Sequence, residues 1–396
     1  MITFFIDEVK HQSIDIGDMD RYHFEFLQPI LEHKRFVFLG ESSHCVKEYS
    51  LAKVSLIKYL HEELGFHVLA FESELGPCMI GDYLSDQLDS KRFMVGTIGR
   101  AWQNEFVLGL FDYMKKMKQE RPLYFTGVDV YQGKKENLFS EFLESYLTGP
   151  TKQKFVDFEK RAIEVLIAAD KRKIKRSMRQ NIREEMESKG MELIEELKQH
   201  CFPDSKIYKI VLRTMENRVN YLKANLEKSF SKLFEYRDAL MAKNLEFLAQ
   251  EIYPNEKFII WAHNMHISKN TSAKRLSAYK SFVENLSQTI KEKSFVLGLY
   301  AKEGKMLDYT GKEYPIKKMN KKHLESLLDH SPYQNSFIQC NGNWAQKKWR
   351  AYEGGGMPTS FVPAQQYDGI LFFKSVSPAY FFDVSETTER GKKPKG

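Results

Sequence analysis

Imidazole is the side chain best matched to moving a proton near neutral pH, and a carboxylate bonded to one ring nitrogen fixes its tautomer and raises its basicity. The sequence offers such a pair three residues apart in Gly40-Glu41-Ser42-Ser43-His44, with Glu72 as a second acidic orienter for the same ring. His263 and His266 follow much later, in Trp261-Ala262-His263-Asn264-Met265-His266. These residues suffice for general-base activation of water, with the later imidazoles as donors to an oxyanion. Glu41, His44, Glu72, His263 and His266 would also suffice chemically for a Zn2+ site, but no His-Glu-x-x-His or comparably tight ligand motif occurs. The plainer alternative is structural: Glu41 caps a helix, His44 is a turn histidine, and His263 or His266 is satisfied in the core.

Nucleophile chemistry has less support. There is no Gly-x-Ser-x-Gly, and Ser42 and Ser43 sit in Gly-Glu-Ser-Ser-His rather than in a nucleophile elbow. Cys45 adjoins His44, but neighbouring side chains at a helix start diverge, and a buried structural thiol is the expectation. Trp102 and Glu105 lie one helical turn apart and can line a cleft, although a Trp on an amphipathic helix is usually core. Gly354-Gly355-Gly356-Met357-Pro358 lacks the strand-turn-helix context of a dinucleotide loop and reads as a mobile loop.

Those side chains must be brought together by strands. Arg35 to Gly40 is a buried strand run closed by glycine, Lys47 to Leu64 has helical periodicity, and Gly65 is a natural stop. Phe66 to Phe71 is a second strand run, ending in polar Glu72-Ser73-Glu74. A right-handed crossover makes the two strands parallel, so both carboxyl ends, and hence both polar turns, fall on one sheet edge. Pro122 to Val128, ending in Asp129, and Lys257 to Trp261, ending at His263 and His266, repeat the pattern; Phe295 to Leu299 and Gly369 to Phe373 follow. Open parallel sheets bind ligands beyond the carboxyl ends of their strands, and here those ends carry Glu41, His44, Glu72, Glu74, Asp129, His263 and His266.

The expected fold is therefore α/β: a mostly parallel central sheet flanked by helices, with a long helical insertion. We divide the chain into 1–138 and 236–385, the two parts of an α/β catalytic domain, with the insertion at 139–235 and a flexible tail at 386–396. No Gly or Pro interrupts Asp204 to Tyr253, yet one helix of that length would span roughly 75 Å, so a break near Ser229 to Lys232 is expected.

Composition sets the class. With 396 residues, 42% of them hydrophobic, the chain can bury a sizeable core, and its apolar runs fall far short of the roughly 20 residues of a membrane helix. No membrane partner is expected, and the N-terminus lacks the features of a secretory signal, which makes the cytoplasm the default address. The four cysteines are widely spaced and expected to be reduced. A formal charge of +7 is modest for this length and mixed with acidic residues, and the cluster from Lys171 to Arg183 has no interleaved aromatics. It reads as a solvated helix face, so nucleic acid is not expected as a partner.

The motifs Gly40-Glu41-Ser42-Ser43-His44, Phe71-Glu72, Gly127-Val128-Asp129, Arg237-Asp238 with Met241 and Asn244, and Trp261-Ala262-His263-Asn264-Met265-His266 resemble the erythromycin esterase family over about residues 30–375. The resemblance implies an α/β sheet with added helices and hydrolytic opening of a macrolide lactone. It implies His44 as general base, Glu41 and Glu72 as its orienters or those of the water, and His263 and His266 completing the pocket. Lys53, Glu74, Trp102, Glu105 and Asp129 would bind substrate, a small-molecule ester or lactone, and no cofactor is required. The family usually has Gly after the first His and Arg nine residues beyond it, where this chain has Cys45 and Lys53; lysine keeps the charge but loses the planar fork. Two other readings use the same cluster: a hydrolase dependent on a transition metal, or a non-catalytic cleft holding a small molecule or haem.

Overall fold

Strand runs that are apolar at every position need cover on both faces of their sheet. The computed structural model describes residues 2–18, 21–133, 137–227, 229–271, 279–308, 310–353 and 356–382, so the tail at 386–396 and Gly354-Gly355 lie outside the described residues. Among the described residues the central sheet has nine strands: β1 (Ser13–Asp15), β2 (Phe36–Leu39), β3 (Phe66–Glu74), β4 (Tyr124–Asp129), β5 (Lys257–Trp261), β6 (Ser294–Leu307), β7 (Glu313–Pro315), β8 (Asn335–Gln339) and β9 (Gly369–Val376). Their order is β1-β8-β9-β6-β2-β5-β3-β4, with β7 on β6. The run from β9 to β4 is parallel, and the β1–β8, β8–β9 and β6–β7 pairs are antiparallel. This is the expected α/β fold with a mostly parallel sheet.

Side-chain alternation divides the core. Phe36, Phe38, Phe258 and Ile260 join one apolar cluster, while Val37, Leu39, Ile259 and Trp261 join another across the sheet. Helix α1 (Lys47–Leu64) covers the second cluster through Ala52, Leu56 and Leu60, and Gly65 ends it at φ 67, the left-handed stop its position predicted.

Two local expectations are corrected, and a third gains a detail. Glu72 to Glu74 are strand rather than turn, because β3 stays paired with β4 through Glu74 opposite Asp129. The β2 and β3 strands are parallel but not neighbours, since β5 pairs with both and lies between them. Trp102 and Glu105 do not share a helix: Arg100–Trp102 is a 3-10 turn, and Asn104, accepting from the Phe106 and Val107 amides, starts α3 (Glu105–Met117) afresh.

Beyond β4, α2 (Leu75–Tyr83) meets a helical layer of α4 (Leu138–Tyr146), α5 (Gly149–Asp170), α6 (Arg176–Leu197) and α7 (Ser205–Glu227). Helix α8 (Phe230–Phe247) begins after Ser229, where the interruption was expected. A third apolar cluster holds this layer together and reaches α2 at Ile80. Lys171, Arg172, Lys173, Lys175, Arg176 and Arg179 are exposed where α5 passes to α6. No two of the four cysteines are bonded. No helix among the described residues is long and apolar enough to cross a membrane.

Candidate active site

The carboxyl end of β5 is the centre of the site because β2 and β3 flank it. The loop after β5 is stitched to its neighbours: the Asn264 amide donates to the Glu41 carbonyl, in the loop after β2, at 2.9 Å, and the Asn264 side chain donates to the Leu299 carbonyl of β6 at 3.1 Å. A Cβ at position 40 would sit 2.0 Å from Asn264 Oδ1, so only glycine lets the two loops approach this closely. Cys45 turns the chain at φ 58, a conformation that suits glycine better, and its buried thiol lies 3.5 Å from the Ala101 carbonyl.

Glu41 is the hub of one half. Its Oε1 lies 2.5 Å from His44 Nδ1 and accepts from Trp102 Nε1 at 2.8 Å, while Oε2 accepts from Lys53 Nζ and, at 3.2 Å, from Trp261 Nε1. Lys53 Nζ also sits 4.0 Å from the centre of the Trp261 ring. Burial pushes the Glu41 carboxyl up, but Lys53 and His44 more than reverse this and hold it at about 2. A carboxylate at Nδ1 makes that nitrogen the donor and leaves the His44 lone pair on Nε2, the tautomer a general base needs. The His44 ring stands edge-on to Trp102, 4.9 Å between centres, and to His263, 5.0 Å between centres.

His263 caps the short helix Asn264–Ile267: its Nδ1 accepts from the Met265 amide at 3.1 Å, so the ring hydrogen is on Nε2. Burial, reinforced by His44, lowers its pKa to about 3, which makes it a neutral hydrogen-bond donor.

The other half is a buried ion network built on α8. Glu72 Oε1 accepts from Arg237 Nη2 at 3.0 Å and lies 3.1 Å from His266 Nε2, and its Oε2 accepts from the His263 amide at 2.8 Å. Arg237 also grips Asp129 through Nε at 2.9 Å and Nη2 at 2.5 Å. Asp238 holds His266 Nδ1 at 2.6 Å. Burial opposes a charge on His266, yet Asp238 and Glu72 outweigh it and raise the pKa to about 10. Burial likewise opposes charge on Glu72, and His266 and Arg237 hold its carboxyl well below the usual range. His266 is thus an imidazolium clamped between carboxylates, and Glu72 fixes the position of His263 through its backbone.

His44, Glu41, Glu72, His263 and His266 therefore meet as the sequence suggested. Among the residues expected to bind substrate, Trp102 touches both Glu41 and His44. The other four are placed differently. Lys53 is fully buried beneath Glu41 and Trp261, so it supports the carboxylate rather than reaching a ligand. Asp129 is saturated by Arg237 and by the Val130 and Tyr131 amides. Glu74 is bound by Arg218 Nε at 2.8 Å and Asn137 Nδ2 at 3.1 Å, where Arg218 also pairs with Glu159 and ties the helical layer to the sheet. Glu105 is exposed in the first turn of α3. Arg237, Asp238 and Trp261 stood in the motifs but not among the expected site residues; an Arg-Asp pair inside an otherwise amphipathic helix was the available signal.

Zinc ligands must be deprotonated and are repelled by fixed cations. The shared cluster already contains Lys53 and Arg237 and a protonated His266, and among the described residues no group of three or more His, Cys, Asp or Glu is arranged to hold a metal.

Known proteins match the chain over different extents. "Putative hydrolase YbfO" of Bacillus subtilis (strain 168) is 28% identical over 410 residues, spanning 93% of this chain and 90% of that protein. Erythromycin esterase type II of Escherichia coli is 29% identical over 129 residues, 31% of this chain and 30% of that protein. The solved structure of a mutant of the erythromycin esterase EreC, in its open conformation, superposes with a TM-score of 0.64 at 16% identity, covering 92% of this chain and 97% of that one, and so shares the fold. The erythromycin esterase family model matches residues 61–376, which include Glu72, Arg237, His263 and His266. By that match, the chain belongs to the erythromycin esterase family.

Proposed function

We propose that the protein is a carboxylic ester hydrolase that opens a macrolide lactone or a related small-molecule ester, with His44 as general base. The observation that carries this reading is the 2.5 Å contact between Glu41 and His44 Nδ1, facing a neutral His263 ring 5.0 Å away. His44 Nε2 takes a proton from water, and the hydroxide attacks the ester carbonyl. The carbonyl oxygen, now negative, is received by His263 Nε2–H. Collapse of the tetrahedral intermediate breaks the bond to the alcohol oxygen, and His44 returns its proton to that oxygen. Base catalysis of this kind contributes about 10²- to 10⁴-fold, and one oxyanion donor about 10²- to 10³-fold. His44 and Arg237, each 14% exposed at the side chain, are the members of the cluster most accessible from outside, which suits His44 to direct contact with water.

In this reading the imidazolium of His266 and the Arg237–Asp129 pair do not react; they hold Glu72, and Glu72 holds His263. No metal takes part in this reading, because the built-in cations Lys53, Arg237 and His266 balance the charge of the carboxylates. The test is hydrolysis of a panel of 14- and 16-membered macrolides and simple esters by metal-free protein in heavy-oxygen water. One heavy oxygen in the acid product, with a mass gain of one water for a lactone and no loss to chelator, is the expected result. No turnover of any ester, or turnover only after metal is restored, would overturn it.

A further inference from the structure

The sheet has a second edge. At the amino end of β4, away from the strand ends that carry the imidazoles, a cavity of about 350 Å³ opens between the last turn of α2, the end of α3 and the first turn of α7. That volume falls within the range of roughly 300–1,000 Å³ usual for small-molecule sites. Its inner wall is apolar, made by the buried side chains of Met79, Phe93, Met114, Leu123 and Ile207, and Tyr83 stands at its rim with 43% of its surface exposed.

Three lysines line the same space. Lys118 pairs with Asp86 at 2.8 Å and also donates to Ser85 Oγ at 2.7 Å. Lys206 donates to Tyr253 Oη at 2.7 Å and lies in the field of Asp82. Asp204, the other acid at the wall, is spent on α7, accepting from the Ile207 amide at 2.7 Å. Lys115 differs from its neighbours. It is half-buried and donates to the Ser85 carbonyl at 2.8 Å and to the Leu88 carbonyl, with no carboxylate partner among the described residues. An ammonium carries three hydrogens, so one remains after those two carbonyls. A partly desolvated charge without a counter-charge is costly, and an anion in the cavity would supply one. Wall and charge together select that anion: a strongly hydrated ion gains nothing from apolar side chains, and a plain hydrocarbon leaves Lys115 unmatched. With Asp86 against Lys118 and Asp82 against Lys206, a single positive charge is left for the occupant to balance.

We propose that this cavity is a binding site for a small organic monocarboxylate with an aromatic or branched aliphatic body, whose carboxylate pairs with Lys115 and whose body lies against Met79, Phe93 and Leu123. The site is separate from the imidazole cluster, and the inference stands independently of the ester chemistry.

The experiment titrates 3-phenylpropanoate and its neutral isostere 3-phenylpropanamide into the full chain at constant ionic strength, with dissociation constants from saturation-transfer NMR and inorganic phosphate as a competitor. The acid is expected to bind at least about tenfold more tightly than the amide, a preference that Lys115→Gln brings to within about twofold of unity. Lys116→Gln, which removes the neighbouring exposed ammonium of α3, is expected to preserve it. Because the readout is a ratio within one protein sample, a variant that folds only in part still reports it. Acetylation of the unmutated protein gives a reading that needs no variant: saturating acid is expected to slow modification of Lys115 by at least about threefold relative to Lys116, and the amide to leave both unchanged. No saturable binding of the acid up to about 10 mM, equal affinity for acid and amide, a preference that survives Lys115→Gln, or Lys115 unprotected by bound acid overturns the site. Displacement of the acid by phosphate at matching concentration overturns the assignment to an organic carboxylate.

Discussion

Lys53 shows how a single buried charge sets the behaviour of the site. Its ammonium is fully buried, pairs with Glu41 and lies over Trp261, and burial lowers its pKa to about 8 although Glu41 pulls the other way. Raising the pH through 8 therefore removes a positive charge from beneath the Glu41–His44 pair, and a developing oxyanion then meets a more negative site. The rate is predicted to decline above about pH 8, and Lys53→Arg, which cannot lose its proton in this range, to move that decline upward by at least about one unit. A pH profile of kcat/KM for both proteins checks this, and an unshifted alkaline limb would exclude Lys53 as its origin. Sequence suggested a charged residue here but not its place, because a lysine on an amphipathic helix is ordinarily solvated. Helical spacing sets Lys53 on the same stripe as Tyr49, Leu56 and Leu60, but nothing in it signals the acid above.

At the scale of elements, the bulge in β3 decides which acids reach the site. Phe71 pairs with Gly127 and Glu74 with Asp129, three residues on β3 against two on β4. An unbroken strand would set Glu72 and Glu74 side by side; across the bulge, Glu72 joins Arg237 and His266 while Glu74 joins Arg218 and Asn137. Gly127 makes this arrangement possible, since a Cβ there would stand 2.2 Å from the Ser73 carbonyl oxygen and 2.7 Å from that of Glu74. Gly127→Ala is predicted to cost about 1–3 kcal/mol of stability and to lower activity by displacing Glu72. Urea unfolding and kcat on the same sample test it, and a variant as stable and as active as the parent would show that the bulge absorbs a methyl group. Strand ends were legible because parallel strands read as continuous apolar runs. The bulge was not, because one extra residue leaves that composition unchanged.

The whole molecule brings distant segments to one edge through a strand order that no local pattern encodes. The β5 strand enters between β2 and β3 after more than half the chain has passed, and this is why His263 stands between His44 and Glu72. Parallel strands predicted the shared edge; adjacency depended on the helical layer returning through α8, whose Arg237 and Asp238 then close the ion network. That network predicts a pH signature of folding. His266 holds its proton more tightly folded, at about 10, than at its ordinary 6.5, so its contribution to stability is fully present below pH 6.5 and is lost as pH rises through 10. The stability difference between the parent and His266→Gln is predicted to shrink between pH 6 and pH 9.5, measured by urea unfolding at each pH. A difference that stays constant would mean that His266 is not the clamped imidazolium described above.

All of these devices converge on one ring, and the most direct measurement is the turnover of His44→Ala on the best ester substrate, with substrate affinity measured beside it. The account predicts that kcat falls by about 10²- to 10⁴-fold while binding changes little. A variant without that imidazole that still turns over at the parent rate would contradict it.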